Sequence, residues 1–370
     1  MKIRRNWEMK YSIVIPFHSN CNFLSICLDR LFETTPKDTE IIIVANNSEL
    51  HTQNLNVSDR CTILKFDHQL YYPRAVNIGV KHAHGEYIVL MDADICVCHG
   101  WLEALTACFE SHLDTGGCSA KMLDPYDGCV KEFGIGFTGY NFPHPFAGRG
   151  EKDELVSQDR EVQAFCSAAS MYRRSTYLEL GGMDEQLVDG YSDIDLCLRL
   201  QAKGLHTYVA ANAVVYHHGS STFGSGMSSH LRADTKGYFM AHGGRCSRVD
   251  MDAYYQIAFQ MFRQPLQTKY YLVDFTTIAN HQWHYDLFSK LGGFQWSGIL
   301  CKPSGGRNAS HIPLYTLLDD NIRRRPQPIC YFVDSFCALR NNYIWTDLRS
   351  SEEDLVIDRN ANIFRLVDII

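Results

Sequence analysis

With 370 residues, 45% of them hydrophobic and 21% charged, the chain is too long for one small core and too apolar for a disordered polypeptide. Its 35 basic and 42 acidic residues leave a net charge of −7 with no long Lys/Arg run, which excludes a protein that tracks a phosphate backbone. Fourteen cysteines spread over this length, several of them inside apolar segments (Cys96, Cys98, Cys166, Cys197), suit reduced thiols better than a disulfide scaffold.

Residues 1–10 read as a basic tail. The apolar stretch Ser12 to Phe17 is too short for a signal-peptide core, and no apolar run approaches the roughly 20 residues that span a bilayer. A cytoplasmic location follows as the expectation, with peripheral membrane association left open. Tyr11 to Pro16 predicts a buried strand, and Leu24, Cys27, Leu28 and Leu31 predict the apolar face of a helix. Glu40 to Ala45 is a β-branched run ended by Asn46-Asn47-Ser48, a strand entering a sharp turn. Thr62 to Phe66 predicts a third strand. Ala75, Ile78, Gly79 and His82 predict a helix packed closely on a sheet, with Gly85 as its stop. Glu86 to Met91 predicts a fourth strand, buried on both faces, which runs into Asp92-Ala93-Asp94.

A helix from Trp101 to about His112 comes next. Phe133 to Phe146, rich in Gly, Pro and aromatics, is either a long functional loop whose aromatics could stack on a ligand's rings or ordinary packing. Order resumes at Val162 to Tyr172, followed by a helix to Leu180 that ends at Gly181-Gly182. Asp193 and Asp195 open another helix, which buries Leu196 and Leu200 and ends at Gly204. Ala211 to Thr222 reads as a strand carrying His217 and His218. Beyond Cys246 the apolar stretches Tyr254 to Phe262, Tyr270 to Phe275 and Pro328 to Cys337 carry no motif. The expected organisation is therefore 1–10 tail, 11–245 one α/β domain, and 246–370 a smaller C-terminal region for acceptor binding or oligomerisation.

Strands alternating with helices imply a mainly parallel sheet with helices on both faces, and such sheets bind ligands beyond the carboxyl ends of their strands. In an extended chain Asp92 and Asp94 share one side while Ala93 turns inward, and two such carboxylates repel each other unless a cation or a proton lies between them. Hard oxygen ligands select Mg²⁺ or Mn²⁺. The plainer reading is a turn cap at Asp94 and a solvated strand end at Asp92. Asp193 at a helix N-terminus is either a first-turn carboxylate kept ionised by the macrodipole or a general base. His217 is either a hydrogen-bonded strand end or a third metal ligand. Cys96-Val-Cys98-His99 lacks a second CxxC and is set aside as a zinc site.

In this order the motifs resemble family 2 glycosyltransferases of the inverting, GT-A type, from Tyr11 to about Phe223. Pro16, the strand end with Asn46 and Ser48, and Arg74-Ala-Val-Asn77-Ile-Gly79 match the family's nucleotide-binding half. Asp92-Ala93-Asp94 matches its DxD motif. Gly182-Met-Asp-Glu185 with Ser192-Asp-Ile-Asp-Leu196 matches the stretch that carries the base, here Asp193, and His217 matches a further metal contact.

The resemblance implies a Rossmann-like GT-A α/β fold and a metal-dependent, hexosyl-type transferase for polysaccharide biosynthesis. It implies Mn²⁺ or Mg²⁺ as cofactor, a nucleotide-sugar donor (a UDP-sugar first), and a glycan or glycoconjugate acceptor. Ala45 stands where the family has an acidic residue that helps hold the nucleotide base, and Ser192 stands where it has Glu. The oligomeric state is unread. A catalytically silent glycan-binding or scaffolding protein is the rival function. Sugar-phosphate nucleotidyltransferases would need a Gly-rich loop after the first strand, where His18-Ser-Asn-Cys21 stands.

Overall fold

The structure, a computed structural model, describes residues 10–46, 57–138, 142–188, 190–219, 229–243, 247–261, 270–274, 294–300, 328–334 and 353–369. The two β-branched runs form β1 (Tyr11–Phe17) and β2 (Glu40–Asn46), paired in parallel with Ile13 opposite Ile41 and Pro16 opposite Val44. Between them α1 (Cys21–Thr34) begins at Asn20, whose side chain accepts from the Phe23 N–H, and it buries Leu24, Cys27, Leu28 and Leu31. β3 (Cys61–Phe66) extends the parallel set beside β2, and α2 (Tyr72–His82) carries the chain to β4 (Tyr87–Met91) on the other side of β1.

The predicted close packing of α2 has a direct cause. A Cβ on Gly79 would lie 2.3 Å from Val14 Cγ1 and 3.1 Å from Val44 Cγ2, so the missing side chain lets the helix sit directly on β1 and β2. Gly85 does not stop this helix. Ala83 caps it, and Gly85 lies against the backbone of β1, where a Cβ would be 2.7 Å from Ser12 N.

The chain continues through β5 (Ile95–Val97), α3 (Trp101–Ser111), β6 (Thr115–Leu123), β7 (Val130–Glu132), β8 (Arg160–Glu161) and β9 (Ala169–Arg173). Then come α4 (Arg174–Glu179), α5 (Ser192–Ala202), β10 (His206–His217) and α6 (Ser229–His242). The sheet order is β3-β2-β1-β4-β9-β6-β10-β5, with β7 on β6 and β8 on β10. The sheet is parallel from β3 to β4 and between β6 and β10, whereas β9 is antiparallel to β4 and β6, and β5 to β10. The parallel expectation thus holds where helices cross over the sheet, and the whole is a mixed α/β sheet. Its core includes Ile13, Ile15, Leu28, Val89, Trp101 and Leu105, all essentially inaccessible to water.

The chain divides into two compact units, 1–136 with 147–248, and 137–146 with 249–370. The second contains α7 (Met251–Met261) and β11 (Tyr270–Asp274), β12 (Phe294–Leu300), β13 (Ile329–Val333), β14 (Leu355–Asp358) and β15 (Ile363–Arg365). Its strands are ordered β12-β11-β13-β14-β15, parallel except for β15. Phe133, Phe137 and Phe146 are buried, which decides the aromatic segment in favour of packing at these positions. Every cysteine among the described residues is a free thiol, and no helix among them is long and apolar enough to cross a membrane.

Candidate functional site

Asp92 leaves β4 with its N–H donating to the Ala168 carbonyl at 2.9 Å, which ties the strand end to the segment before β9. The Ile95 N–H returns to the Asp92 carbonyl at 3.2 Å, so residues 92–94 form a turn and not the extended run assumed from side-chain alternation. The carboxylates converge by another route. β5 leaves the turn antiparallel to β10, placing His217 opposite Ile95. His217 Nε2 then lies 3.5 Å from Asp94 Oδ1 and 3.8 Å from Asp92 Oδ2. Ala93 packs, partly buried, against the core.

Asp94 is the more enclosed carboxylate, its side chain 10% exposed against 30% for Asp92. Its Oδ2 accepts the Gly219 N–H at 3.0 Å, and its carbonyl accepts the His218 N–H at 3.3 Å. The plainer reading of Asp94 as a turn cap therefore describes one of its oxygens, while the other faces His217. Burial pushes the Asp92 carboxyl up to about 6, opposed by His217 and reinforced by the Asp94 charge. At His217 burial acts to lower the pKa, but the Asp94 hydrogen bond and the two carboxylate charges outweigh it and raise it. The His217 shift reports carboxylates that favour positive charge beside them, and the Asp92 shift reports burial first. The ligand atoms of Asp92, Asp94 and His217 all lie within 4.8 Å of one another. Two hard oxygens and one imidazole are a donor set that fits Mn²⁺ or Mg²⁺.

Asp193 lies in the first turn of α5, as its sequence context predicts, after Tyr191 turns the chain at φ 66°. Its Oδ1 accepts the Ile194 N–H at 2.9 Å. Burial nevertheless pushes the carboxyl up to about 6, against the opposing donations from the Ile194 and Ser167 N–H groups. Desolvation outweighs the helix N-terminus at this group, and the side chain is a stronger base than an exposed aspartate while still mostly ionised at neutral pH.

The Tyr72 hydroxyl lies 3.0 Å from Ser167 Oγ. Tyr72 acts to lower the Asp92 carboxyl and the Ser167 backbone acts to lower that of Asp193, each against the larger effect of burial. Neither Tyr72 nor Ser167 stands out in the sequence, because the contact joins positions 95 residues apart. Lys131 and Glu132 of β7 are likewise unmarked by any motif.

The expected nucleotide-binding residues fare differently. Pro16 lies near the carboxyl end of β1, beyond that strand's pairing with β4. Asn46 is the last residue of β2, and Ser48 lies outside the described residues. Arg74 is exposed on the first turn of α2, 3.9 Å from Glu185. Asn77 forms a clasp: its Nδ2 donates to the Met183 carbonyl at 2.9 Å and to Glu185 Oε1 at 3.1 Å. Its Oδ1 accepts from Tyr177 OH at 2.8 Å and Met183 N–H at 2.9 Å. The amide's two donors and two acceptor sites are thereby filled.

Arg199 completes this clasp. It bonds Asp195 Oδ2 at 2.7 Å, the Leu180 carbonyl at 3.0 Å and the Gly182 carbonyl at 2.8 Å, tying α5 to the Gly-Gly turn. Asn77→Ala would orphan buried partners on Tyr177 and Met183, and is expected to lower stability by about 1–3 kcal/mol. Thermal unfolding would show this loss with donor affinity unchanged. A weakened donor affinity at unchanged stability would instead mark Asn77 as a ligand contact.

Residues 12–181 match the sequence profile of Glycosyl transferase family 2. The O-antigen biosynthesis protein RfbC of Myxococcus xanthus is 30% identical over 226 residues, which is 58% of this chain and 18% of RfbC. The pre-mycofactocin glycosyltransferase of Mycobacterium tuberculosis is 25% identical over 209 residues, 56% of this chain and 42% of that protein. The chain thus spans less than half the length of either relative. A crystal structure of GalNAc-T7 with UDP, GalNAc and Mn²⁺ aligns at TM-score 0.48 and 16% identity, over 58% of this chain and 44% of that one. Residues 12–181, the stretch that matches glycosyl transferase family 2, carry β1 to β4, Asp92 and Asp94.

Proposed function

We propose that the first unit transfers a sugar, with inversion, from a nucleotide-diphosphate donor to a hydroxyl of a glycan or glycoconjugate acceptor. A UDP-sugar is the first candidate donor, and the O-antigen role named for RfbC supports a polysaccharide setting for the acceptor. The observation that carries this reading is the meeting of Asp92, Asp94 and His217 where β4 and β10 end.

Asp94, His217 and Asp92 would hold Mn²⁺ or Mg²⁺, which when bound supplies positive charge for the donor diphosphate. Asp193 takes the proton of the acceptor hydroxyl, whose oxygen attacks the anomeric carbon on the face opposite the leaving diphosphate. The carboxyl's raised pKa favours that transfer, and its first-turn position holds it in place. The free thiols suit work in the reducing cytoplasm.

The test is a panel of nucleotide sugars, each assayed for thermal stabilisation of the full chain with and without Mn²⁺. A binding donor at about 100 times its Kd adds about 2.7 kcal/mol to the folded state. At least one donor is expected to raise the melting temperature in Mn²⁺ and not in EDTA. A panel that stabilises nothing in either condition contradicts the reading.

A further inference from the structure

β7 is a three-residue strand on β6, and its two charged side chains serve different segments. Glu132 Oε1 accepts the Cys166 N–H at 2.5 Å, on the segment that precedes β9. Lys131 Nζ donates to the carbonyls of His217 at 3.0 Å and His218 at 2.8 Å. These are the residues at which β10 runs out: its pairing with β6 stops at Tyr216 opposite Leu123. The ammonium therefore takes over the backbone where the ladder ends, with charge-assisted bonds that are stronger than neutral ones.

The next residue is shaped around that ammonium. Gly219 turns the chain at φ 63°, and a Cβ there would lie 2.4 Å from Lys131 Nζ. Its N–H is the donor that holds Asp94 Oδ2 at 3.0 Å. One side chain thus holds two consecutive residues, the first of which carries the imidazole, and abuts a third, which anchors the carboxylate facing it.

We infer that Lys131 is a positioning residue for the cation site, locking the end of β10 so that His217 meets Asp94 and Asp92. This rests on reading those three residues as a cation site. Lys131 touches no ligand atom of the cluster, and its own positive charge opposes a cation nearby. The two effects have opposite signs, which makes the inference decidable. If charge dominated, Lys131→Met would tighten metal binding; if positioning dominates, the same change loosens it. Residues that orient metal ligands from outside the coordination shell are worth roughly 10- to 100-fold in affinity, more than a screened repulsion.

Mn²⁺ titration of the metal-stripped full chain by calorimetry reads this directly. Lys131→Met is expected to bind Mn²⁺ roughly tenfold more weakly than wild type. Lys131→Arg, which keeps charge and donors, is expected to regain most of that loss. Glu132→Gln alters the neighbouring residue on the Cys166 side and is expected to stay within about twofold.

Equal or tighter binding by Lys131→Met overturns the inference, as does an equal loss in Glu132→Gln, which would mark general damage to β7. A wild type that binds no Mn²⁺ removes the cation site itself and the inference with it. A wild type that binds, matched by Lys131→Met, removes only the positioning role. If Lys131→Met fails to fold, Gly219→Ala tests the same contact by displacing the ammonium, and it is expected to show the same loss; unchanged affinity there overturns the inference.

Discussion

Replacing Asp193 with Asn is expected to reduce sugar transfer by roughly 10²- to 10⁴-fold, the usual contribution of a positioned general base, with donor and Mn²⁺ affinities nearly unchanged. The amide keeps an oxygen for the Ile194 N–H that Asp193 Oδ1 accepts, so α5 retains its first-turn contact. The pH dependence follows from the carboxyl's elevation to about 6. Transfer by the wild type should fall about tenfold per pH unit once the pH drops below that value, because only the ionised form accepts a proton.

Stability should move the other way. A carboxyl whose folded pKa lies above its unfolded value binds its proton more tightly when folded, so its contribution to stability is present in acid and lost as pH rises through about 6. Asp193→Asn should therefore melt higher than wild type above neutrality, by on the order of 1 kcal/mol after discounting for its partial exposure, and lose that advantage in acid. Calorimetric melts across pH, run beside the transfer assay, check both halves. A variant that keeps full activity would remove Asp193 from the role of base, whatever its stability.

Asp94→Ala carries the second large effect. It deletes the less exposed of the two acids, the oxygen 3.5 Å from His217 Nε2 and the acceptor of the Gly219 N–H together. Mn²⁺ affinity and metal-dependent transfer should both fall by about 100-fold or more, since a ligand and the anchor of the neighbouring strand end are lost at once. The His217 imidazole should also titrate lower, because the Asp94 hydrogen bond is the largest influence raising it. An NMR titration of the His217 ring in metal-free protein reads that shift. An unmoved midpoint would mean that Asp94 does not face His217 in solution.

The framework of this site was legible in the sequence wherever the signal is local. β-branched runs mark β1 and β2, a continuous apolar run mark β4, and the polar opening with buried Leu196 and Leu200 marks α5. Asp92, Asp94 and His217 were expected together from the order of motifs, and the structure brings them together. The stated reason was wrong in one respect: residues 92–94 turn, and the acids converge because β5 pairs antiparallel with β10.

What escaped the sequence lies across long separations. Tyr72 meets Ser167 over 95 positions, Asn77 meets Met183 over 106, and Lys131 meets His217 over 86. No periodicity or turn preference records such contacts, since each depends on where the sheet sets two distant segments side by side. The motif match around Asn77 identified the helix, while the bonds of its amide to the turn before α5 left no local signal. The raised carboxyl of Asp193 was hidden for a similar reason. Its helix position is local, whereas its desolvation comes from the surrounding fold.

The most direct measurement is release of nucleoside diphosphate from a nucleotide sugar by the full chain, with and without Mn²⁺, compared between wild type, Asp94→Ala and Asp193→Asn. Metal-dependent release by wild type is predicted, strongly reduced in Asp94→Ala together with donor binding, and strongly reduced in Asp193→Asn with donor binding intact. Release that is indifferent to metal, or equal in all three proteins, would contradict a transferase built on Asp92, Asp94, His217 and Asp193.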